Sequence, residues 1–243
     1  MQVYFWISAL IAEIIGTMAG FGSSTIFLPV ALFFYDFRTA LILVAIFHMS
    51  GNIGRITFFR HGFDLKILLL FGIPSVIFTL AGALLVNYIS QPLLKMILGI
   101  FLLIYATVTL WKPDMRVKRN KRNHLAGGGL SGFFAGLIGT GGALRSAFLT
   151  SFDLEKSVYI STAAAISLAV DITRIPVYIS SGFLPEELII YIPFLFLIAV
   201  TGSFIGKKIV GKIPQRIFRK FVLLCIGLVS IKFIYDGIVH FTQ

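Results

Sequence analysis

Two sets of polar residues occur at matching positions in an otherwise apolar chain. His48, Asn52 and Arg55 follow the i, i+4 and i+7 spacing that places side chains on one face of a helix. Asp171 and Arg174 repeat the spacing of the last two, 119 residues later. An arginine at membrane depth costs at least a few kcal/mol unless it faces protein or water, so these sets predict a polar functional site. The alternative is that each arginine snorkels to an interface or pairs locally, as Asp171 can with Arg174.

Glycine-rich breaks interrupt one apolar stretch in each half of the chain. A helix that begins at such a break inside the membrane presents free N–H groups and the positive end of its dipole, and both attract an anion. The alternative is that glycines only allow close helix packing, which is the preferred interpretation for residues 127–129 and 132. The predicted ligand residues of the two breaks are Gly22, Ser23, Ser24 and Thr25, and Gly139, Thr140, Gly141 and Gly142.

Arg145 is a further candidate for the substrate-binding site, and Glu13 and His48 are candidates for coupling. Arg145 lies three residues after the second break, where it would add positive charge. Glu13, the only acidic residue before the first break, is either a coupling group or an exposed interfacial residue. His48 is either a proton carrier or a packed, hydrogen-bonded side chain. The sequence leaves both alternatives open, and it contains no motif of an enzyme nucleophile, metal set or nucleotide site.

The composition identifies the environment in which these residues act. Of 243 residues, 58% are hydrophobic and 13% are charged, about half the charged share of a soluble domain. Together with a mean hydropathy of +0.96, this excludes a soluble globular protein and a disordered chain, and the single Cys225 excludes a disulfide scaffold. The net charge of +11 does not indicate a nucleic-acid partner, because basic residues cluster in short gaps between apolar segments. The sequence predicts an all-α, polytopic protein of the lipid bilayer.

Six segments are long and apolar enough to span a bilayer, which takes about 20 residues per crossing. Two other apolar stretches, 4–34 and 126–152, are cut by the glycine breaks. The cuts predict arms of about 10 to 15 residues, which are short for a crossing and suit a re-entrant or broken helix. The predicted spans are 41–59, 67–86, 93–111, 158–179, 188–205 and 217–238.

The two halves repeat each other at a nearly constant offset. Asn52 stands opposite Asp171 and Pro74 stands opposite Pro193, both at 119 residues. A constant offset across several segments indicates internal duplication. The predicted divisions are a first membrane repeat at 1–111, a basic cytoplasmic linker at 112–124 and a second membrane repeat at 125–243.

Charge sorting predicts that the two repeats are inverted. If each broken stretch returns to its starting side, or crosses twice, the basic gaps 60–66, 112–124 and 206–220 share one side, and Glu186 and Glu187 lie on the other. If each broken stretch crosses once, the basic gap at 206–220 falls opposite the other two. Only the first arrangement satisfies the positive-inside rule. It also produces inverted repeats, a common plan of secondary transporters, with both termini extracytoplasmic.

The residues at both breaks resemble the signatures of the sulfite exporter TauE/SafE (TSUP) family. Residues 19–24 (AGFGSS) with Pro29 are similar to the first signature, and residues 139–145 (GTGGALR) are similar to the second. The segment 171–174 (DITR) and the turn 60–64 (RHGFD) extend the resemblance over essentially the whole chain. The resemblance implies a permease for small sulfur-containing anions such as sulfite, sulfonates or sulfoacetate.

We therefore expect a secondary transporter of a small sulfur-containing anion in a bacterial or archaeal cell membrane, with alternating access around a midplane site. Arg55 on the cytoplasmic side and Arg174 on the outer side would each grip the anion through the planar fork of the guanidinium. The alternatives are an anion channel, and a receptor or assembly subunit that binds without translocating. The expected partners are the anion and the bilayer, with a homodimer as an option. Neither enzymatic activity nor a cofactor, metal or nucleic acid is expected.

Topology can be tested with an impermeant cysteine reagent. We expect Asn120 in the basic linker to face the cytoplasm, and Gln2 and Gln243 to face the outside. After replacement of Cys225, the single-cysteine variants Asn120→Cys and Gln243→Cys should label from opposite sides of the membrane. Labelling of both positions from the same side would contradict the inverted-repeat prediction.

Overall fold

The computed structural model describes residues 2–19, 22–59, 62–112, 115, 117–152, 154–209 and 215–242, and within these ranges it contains helices and no strands. The all-α prediction is therefore confirmed. Gly20 and Phe21 of the first signature, Arg60 and His61 of the predicted turn, and Gln243 lie outside the described residues. The helices are α1 (Gln2–Ala19), α2 (Ser24–Ala31), α3 (Phe37–Phe58), α4 (Leu65–Tyr88), α5 (Gln91–Trp111), α6 (Lys121–Ile138), α7 (Gly142–Leu149), α8 (Lys156–Ser180), α9 (Tyr191–Ile209) and α10 (Gln215–Thr242).

Six helices of the described chain are long and apolar enough to cross a membrane, namely α3, α4, α5, α8, α9 and α10. They coincide with the six predicted spans, with ends that differ by a few residues. α3 begins earlier than predicted because the Asp36 carboxylate caps it, accepting hydrogen bonds from the N–H groups of Arg38 and Thr39 at 3.0 and 3.3 Å. Of the 18-residue apolar segment of α3, 72% is buried inside the protein, against 33% of the corresponding segments of α5 and α10. α3 is therefore a central helix, and α5 and α10 expose apolar faces suited to lipid.

Each broken stretch forms a long helix and a short helix that return to the same end of the bundle. Phe5 near the start of α1 packs against Phe34 and Tyr35, which follow α2, with ring centroids 5.7 and 5.2 Å apart. His124 at the start of α6 stacks on Phe152, which follows α7, at 4.5 Å. Each stretch therefore returns to its starting end, which both forms allowed by the charge sorting require, and the choice between re-entry and a double crossing stays open.

The predicted arm lengths are wrong. α1 and α6 each have 18 residues, and α2 and α7 each have eight. α6 begins at Lys121 because the side chain of Asn120 caps it, accepting a hydrogen bond from the N–H of Asn123 at 2.8 Å. The last residues of the predicted linker, 121–124, are thus helical. At 1.5 Å per residue the long arms extend about 27 Å, so each break lies deep in the bundle.

The central helices α3 and α8 run in opposite directions. Arg38 at the start of α3 lies over the ring of Phe183, just after the end of α8, at 5.5 Å. At the other end Ser161, near the start of α8, donates a hydrogen bond to the carbonyl oxygen of Phe59 at 3.1 Å. Each helix therefore begins where the other ends.

Arg119 of the predicted linker and Lys207 of the last turn of α9 lie at the end of the bundle where α3 finishes. The guanidinium of Arg119 forms an ion pair with Asp64 at 2.6 Å and donates to the carbonyl oxygen of Phe152 at 3.3 Å. The ammonium of Lys207 donates to the carbonyl oxygen of Phe58 at 2.7 Å. The basic gaps therefore share one end. The assignment of this end to the cytoplasm, the inverted relation and the division into two repeats stay predictions.

The long helix of each broken stretch packs on a predicted spanning helix of the other half, α1 on α9 and α6 on α4. Where α6 meets α4, a Cβ at Gly128, Gly132 or Gly136 would overlap a carbonyl oxygen of α4. The hydroxyls of Ser75 and Thr79 on α4 donate to the carbonyl oxygens of Gly128 and Gly132, both at 3.0 Å. Small residues that allow such contact are a usual means of helix association in membranes.

Replacement of Gly132 by alanine should destabilise the protein, because the new Cβ would overlap the carbonyl oxygen of Ser75. Overpacking of this kind costs about 1–3 kcal/mol. Gly129→Ala on the same helix is the matched control, since its Cβ would make an ordinary contact with the Phe78 ring at 3.4 Å. Thermal unfolding of the detergent-purified variants measures the difference. Equal midpoints for Gly132→Ala and Gly129→Ala would contradict the close packing of α6 on α4.

Candidate anion-binding site

Arg55 of α3 is held by an ion pair and a hydrogen bond from α1 and by a hydrogen bond within α3. Its Nη2 pairs with Oε1 of Glu13 on α1, its Nε donates to the hydroxyl of Thr17 at 3.1 Å, and its Nη1 donates to Oδ1 of Asn52 at 2.8 Å. The hydroxyl of Ser203 on α9 donates to the same Glu13 oxygen at 2.7 Å. Glu13 is completely buried. Arg55 therefore does not snorkel, and Glu13 is not an exposed interfacial residue.

Arg174 of α8 pairs locally with Asp171. Its Nη2 and Nε lie 2.8 and 3.0 Å from Oδ1 of Asp171, and its Nη1 donates to the carbonyl oxygen of Ala135 at 2.8 Å. One turn further along, the hydroxyl of Tyr178 donates to the carbonyl oxygen of Gly136 at 2.5 Å. These bonds satisfy backbone carbonyls near the end of α6 and fasten α6 to α8.

Asn52 and Asp171, which the repeat predicts to be equivalent, meet where α3 crosses α8. The Asn52 amide donates to Oδ2 of Asp171 at 3.1 Å, while its oxygen accepts from Arg55. Nδ1 of His48 lies 2.8 Å from the same Asp171 oxygen. The two ion pairs are thus joined into one buried polar network that extends from Glu13 to Arg174.

The two glycine breaks are also in contact. The hydroxyls of Thr25 and Thr140 form a buried hydrogen bond of 2.8 Å between the first break and the second. Gly22 and Gly139 have φ angles of +84° and +74°, a backbone conformation that residues other than glycine rarely adopt. The turns at these glycines let each short helix start beside the break and return.

A small cavity lies against this network, on the side of the α3–α8 crossing that faces the basic loops. Its volume of about 30 Å³ is enough for about two water molecules. The hydroxyl of Tyr159 at its edge donates to Ser146 at 3.1 Å. Its polar lining includes Thr17, Asn52, Arg55, Arg145 and Ser146.

Arg145 of α7 differs from the other two arginines of the site. It is 4% exposed and lines the cavity. Its side chain makes no hydrogen bond or ion pair with any residue that the structure describes. A buried cation without a partner is expensive in a membrane protein, so the cavity beside Arg145 is suited to an anion.

The structure divides the predicted ligand residues into two groups. Gly22, Asn52, Arg55 and Arg145 line the cavity. The prediction that Arg174 grips the anion finds no support in this arrangement, because its three nitrogens are used by Asp171 and Ala135. Glu13 and His48 lie behind the cavity wall, bonded to Arg55 and Asp171. The remaining predicted ligand residues pack around the network without lining the cavity, and they are Ser23, Ser24, Thr25, Gly139, Thr140, Gly141, Gly142 and Asp171.

Sequence reasoning missed four polar residues of this region, namely Thr17, Ser146, Tyr159 and Ser203. Thr17 follows Glu13 by four residues in an apolar arm, so the two share a helix face, and this spacing was a usable signal. Ser203 and Ser146 had no comparable signal, because serines are common in membrane helices and their role depends on contacts with distant segments.

Six helices of the described chain long and apolar enough to span a bilayer, and two broken helix pairs whose breaks touch, are the features of a polytopic membrane protein. The model of the family described as Sulfite exporter TauE/SafE matches residues 5–233, and the chain belongs to this family. The predicted family and the multi-pass membrane location are therefore confirmed.

One similar relative is a probable membrane transporter protein of Methanocaldococcus jannaschii. It is 26% identical over 255 aligned positions, which cover 93% of this chain and 92% of the relative. No solved structure matches the chain significantly.

The local pairing of Arg174 predicts a structural role that can be measured. Arg174→Gln should lower stability by about 3–5 kcal/mol, because it leaves the buried Asp171 carboxylate without its cation. The double variant Arg174→Gln with Asp171→Asn should recover much of this loss. Arg119→Gln, which removes a half-exposed ion pair with Asp64, is the control and should change stability by less than about 1 kcal/mol. Thermal unfolding in detergent that ranks the double variant below Arg174→Gln would contradict the pairing.

Proposed function

We propose that this protein is a secondary transporter that binds a small sulfur-containing oxyanion, such as sulfite, a sulfonate or sulfoacetate, beside Arg145. The observation that carries the proposal is the unpaired guanidinium of Arg145 at the cavity. In a low-dielectric interior a bound anion would supply the opposite charge that no described side chain supplies. The name of the matching family, sulfite exporter, supports a sulfur oxyanion as the ligand.

The other cavity residues suit the oxygens of such an anion. Arg55 lines the same cavity, and a guanidinium can donate two parallel hydrogen bonds to two oxygens of one anion. The hydroxyls of Thr17 and Ser146 add further donors. Gly22 has no side chain, so the backbone at the start of α2 can approach the ligand closely.

The packing of the helices supports transport by alternating access. The cavity holds about two water molecules, so binding of an anion as large as sulfoacetate needs its walls to move apart. The walls belong to separate elements: Arg145 comes from α7, Arg55 from α3 and Tyr159 from α8. The antiparallel crossing of α3 and α8 is the arrangement that inverted repeats produce. Rocking of α3 with α1 against α8 with α7 would open the site to one end or the other.

Flux into proteoliposomes tests this function. Wild-type protein should take up at least one of labelled sulfite, a sulfonate and sulfoacetate with saturable kinetics. Arg145→Gln should reduce saturable uptake by about tenfold or more, because a charge-assisted hydrogen bond contributes about 1.5–3 kcal/mol. Arg145→Lys keeps the charge but loses the fork, and should give an intermediate rate. Arg119→Gln removes a basic-loop arginine that does not line the cavity, and this variant should transport normally.

Each of the other outcomes identifies a different class of protein. Very high flux that does not saturate would indicate a channel. Binding without flux would indicate a receptor or assembly subunit. Normal transport by Arg145→Gln would remove Arg145 from the site and contradict the proposed position of the anion.

A further inference from the structure

We infer that a doubly charged anion binds together with one proton, and that Nε2 of His48 holds this proton. The inference rests on the proposed anion site beside Arg145. It concerns His48, whose Nε2 has no hydrogen-bond partner among the described residues and lies next to the cavity, against Gly22.

Asp171 fixes which nitrogen of His48 can gain or lose a proton. Asp171 is paired with Arg174, so its carboxylate can only accept hydrogen bonds. Nδ1 of His48 lies 2.8 Å from Oδ2 of Asp171 and therefore carries a hydrogen. The amide of Asn52 lies 3.1 Å from the same oxygen and 3.3 Å from Nδ1, and it donates to the nearer, charged acceptor. Titration of His48 thus takes place at Nε2.

Nε2 is buried and has no hydrogen-bond partner among the residues that the structure describes. It faces Gly22, where a Cβ would lie 2.9 Å from this nitrogen. Gly22 lines the cavity. A residue without a side chain therefore separates Nε2 from the space in which water and the anion would meet Arg145.

The charges of the network explain why a dianion, but not a monoanion, should bind together with a proton. With His48 neutral, three arginines and two carboxylates leave one net positive charge, and Arg145 is the cation without a partner. A monoanion neutralises this charge. A dianion leaves one excess negative charge, which favours the imidazolium form of His48. The titratable side chains around His48 and the cavity are Glu13 on α1, Arg55 on α3, Arg145 on α7, and Tyr159, Asp171 and Arg174 on α8, while α2 has none.

Glu13 is the competing proton acceptor, and its contacts argue against that role. Its Oε1 receives the ion pair from Arg55 and the hydroxyl hydrogen bond of Ser203. Its Oε2 has no hydrogen-bond partner among the described residues, but Glu13 does not line the cavity, whereas Nε2 of His48 faces the cavity-lining Gly22. The proton therefore enters from water through the cavity and binds Nε2, while the Nδ1 hydrogen stays on its bond to Asp171.

The experiment compares two anions that share a sulfonate group and differ by one charge. Methanesulfonate is a monoanion and sulfoacetate is a dianion between about pH 6 and about pH 8, the range in which histidine titrates. Calorimetry of the purified protein in buffers of different ionisation enthalpy counts the protons taken up on binding. We expect about one proton per sulfoacetate and none per methanesulfonate. As the pH rises, sulfoacetate affinity should fall by up to about tenfold per pH unit, while methanesulfonate affinity should fall much less.

His48→Gln tests the assignment to this residue, since glutamine can still donate to Asp171 but does not titrate. The variant should take up no proton, lose the pH dependence of sulfoacetate binding, and bind sulfoacetate about tenfold more weakly at the lower pH. Its methanesulfonate affinity should stay within about threefold of wild type. His124→Gln is the matched control, because His124 is also buried with a free Nε2 but stacks on Phe152 at the basic end.

Proton uptake that persists in His48→Gln, or its absence in wild-type protein that binds sulfoacetate, would contradict the inference and leave the proposed anion site intact. Failure of wild-type protein to bind either anion would contradict both. The comparison of the two anions on wild-type protein needs no variant. It therefore shows whether a dianion binds together with a proton even where His48→Gln does not fold.

Discussion

A guanidinium buried in a membrane protein needs a partner from the protein, and the centre of this structure is organised by that need. Arg55 obtains its partner from Glu13, and Arg174 obtains its partners from Asp171 and a backbone carbonyl. Arg145 obtains none from the described residues. The first two pairs connect the helices, and the unmatched third charge is the basis of the proposed anion site.

Glycines make room for the buried charges and also have two other roles in this structure. Glu13 can lie against α3 and α9 only because Gly51 and Gly202 face it, and a Cβ at either glycine would come within about 2.7 Å of its side chain. The glycines of the two breaks have another task, since Gly22 and Gly139 turn the backbone so that the short helices can return. The glycines of α6 have a third task, which is close contact with α4. One residue type thus serves a buried charge, a turn and a helix interface.

The sequence predicts the spanning helices and the family well, because hydropathy and local motifs depend on neighbouring residues. It also predicts that Asp171 can pair with Arg174 and that the breaks belong to one region. It does not predict which way Arg174 turns, because the helix that satisfies it is 39 residues away and its rotation depends on packing. The arm lengths were wrong for a related reason. An 18-residue α1 contains Gly16 without interruption, since contact with Ser23 favours a residue without a side chain there.

The contact between Ser203 and Glu13 joins residues 190 positions apart, and this has a consequence for biosynthesis. Glu13 emerges from the ribosome and enters the membrane long before α9, which supplies Ser203 and Gly202. Until α9 arrives, Arg55 and Thr17 are the available partners for this carboxylate. During synthesis, the first half is therefore in the membrane before α9 covers Glu13 and Arg55. Completion of the fold is tied to the last third of translation, and a truncated first half would be a natural substrate for membrane quality control.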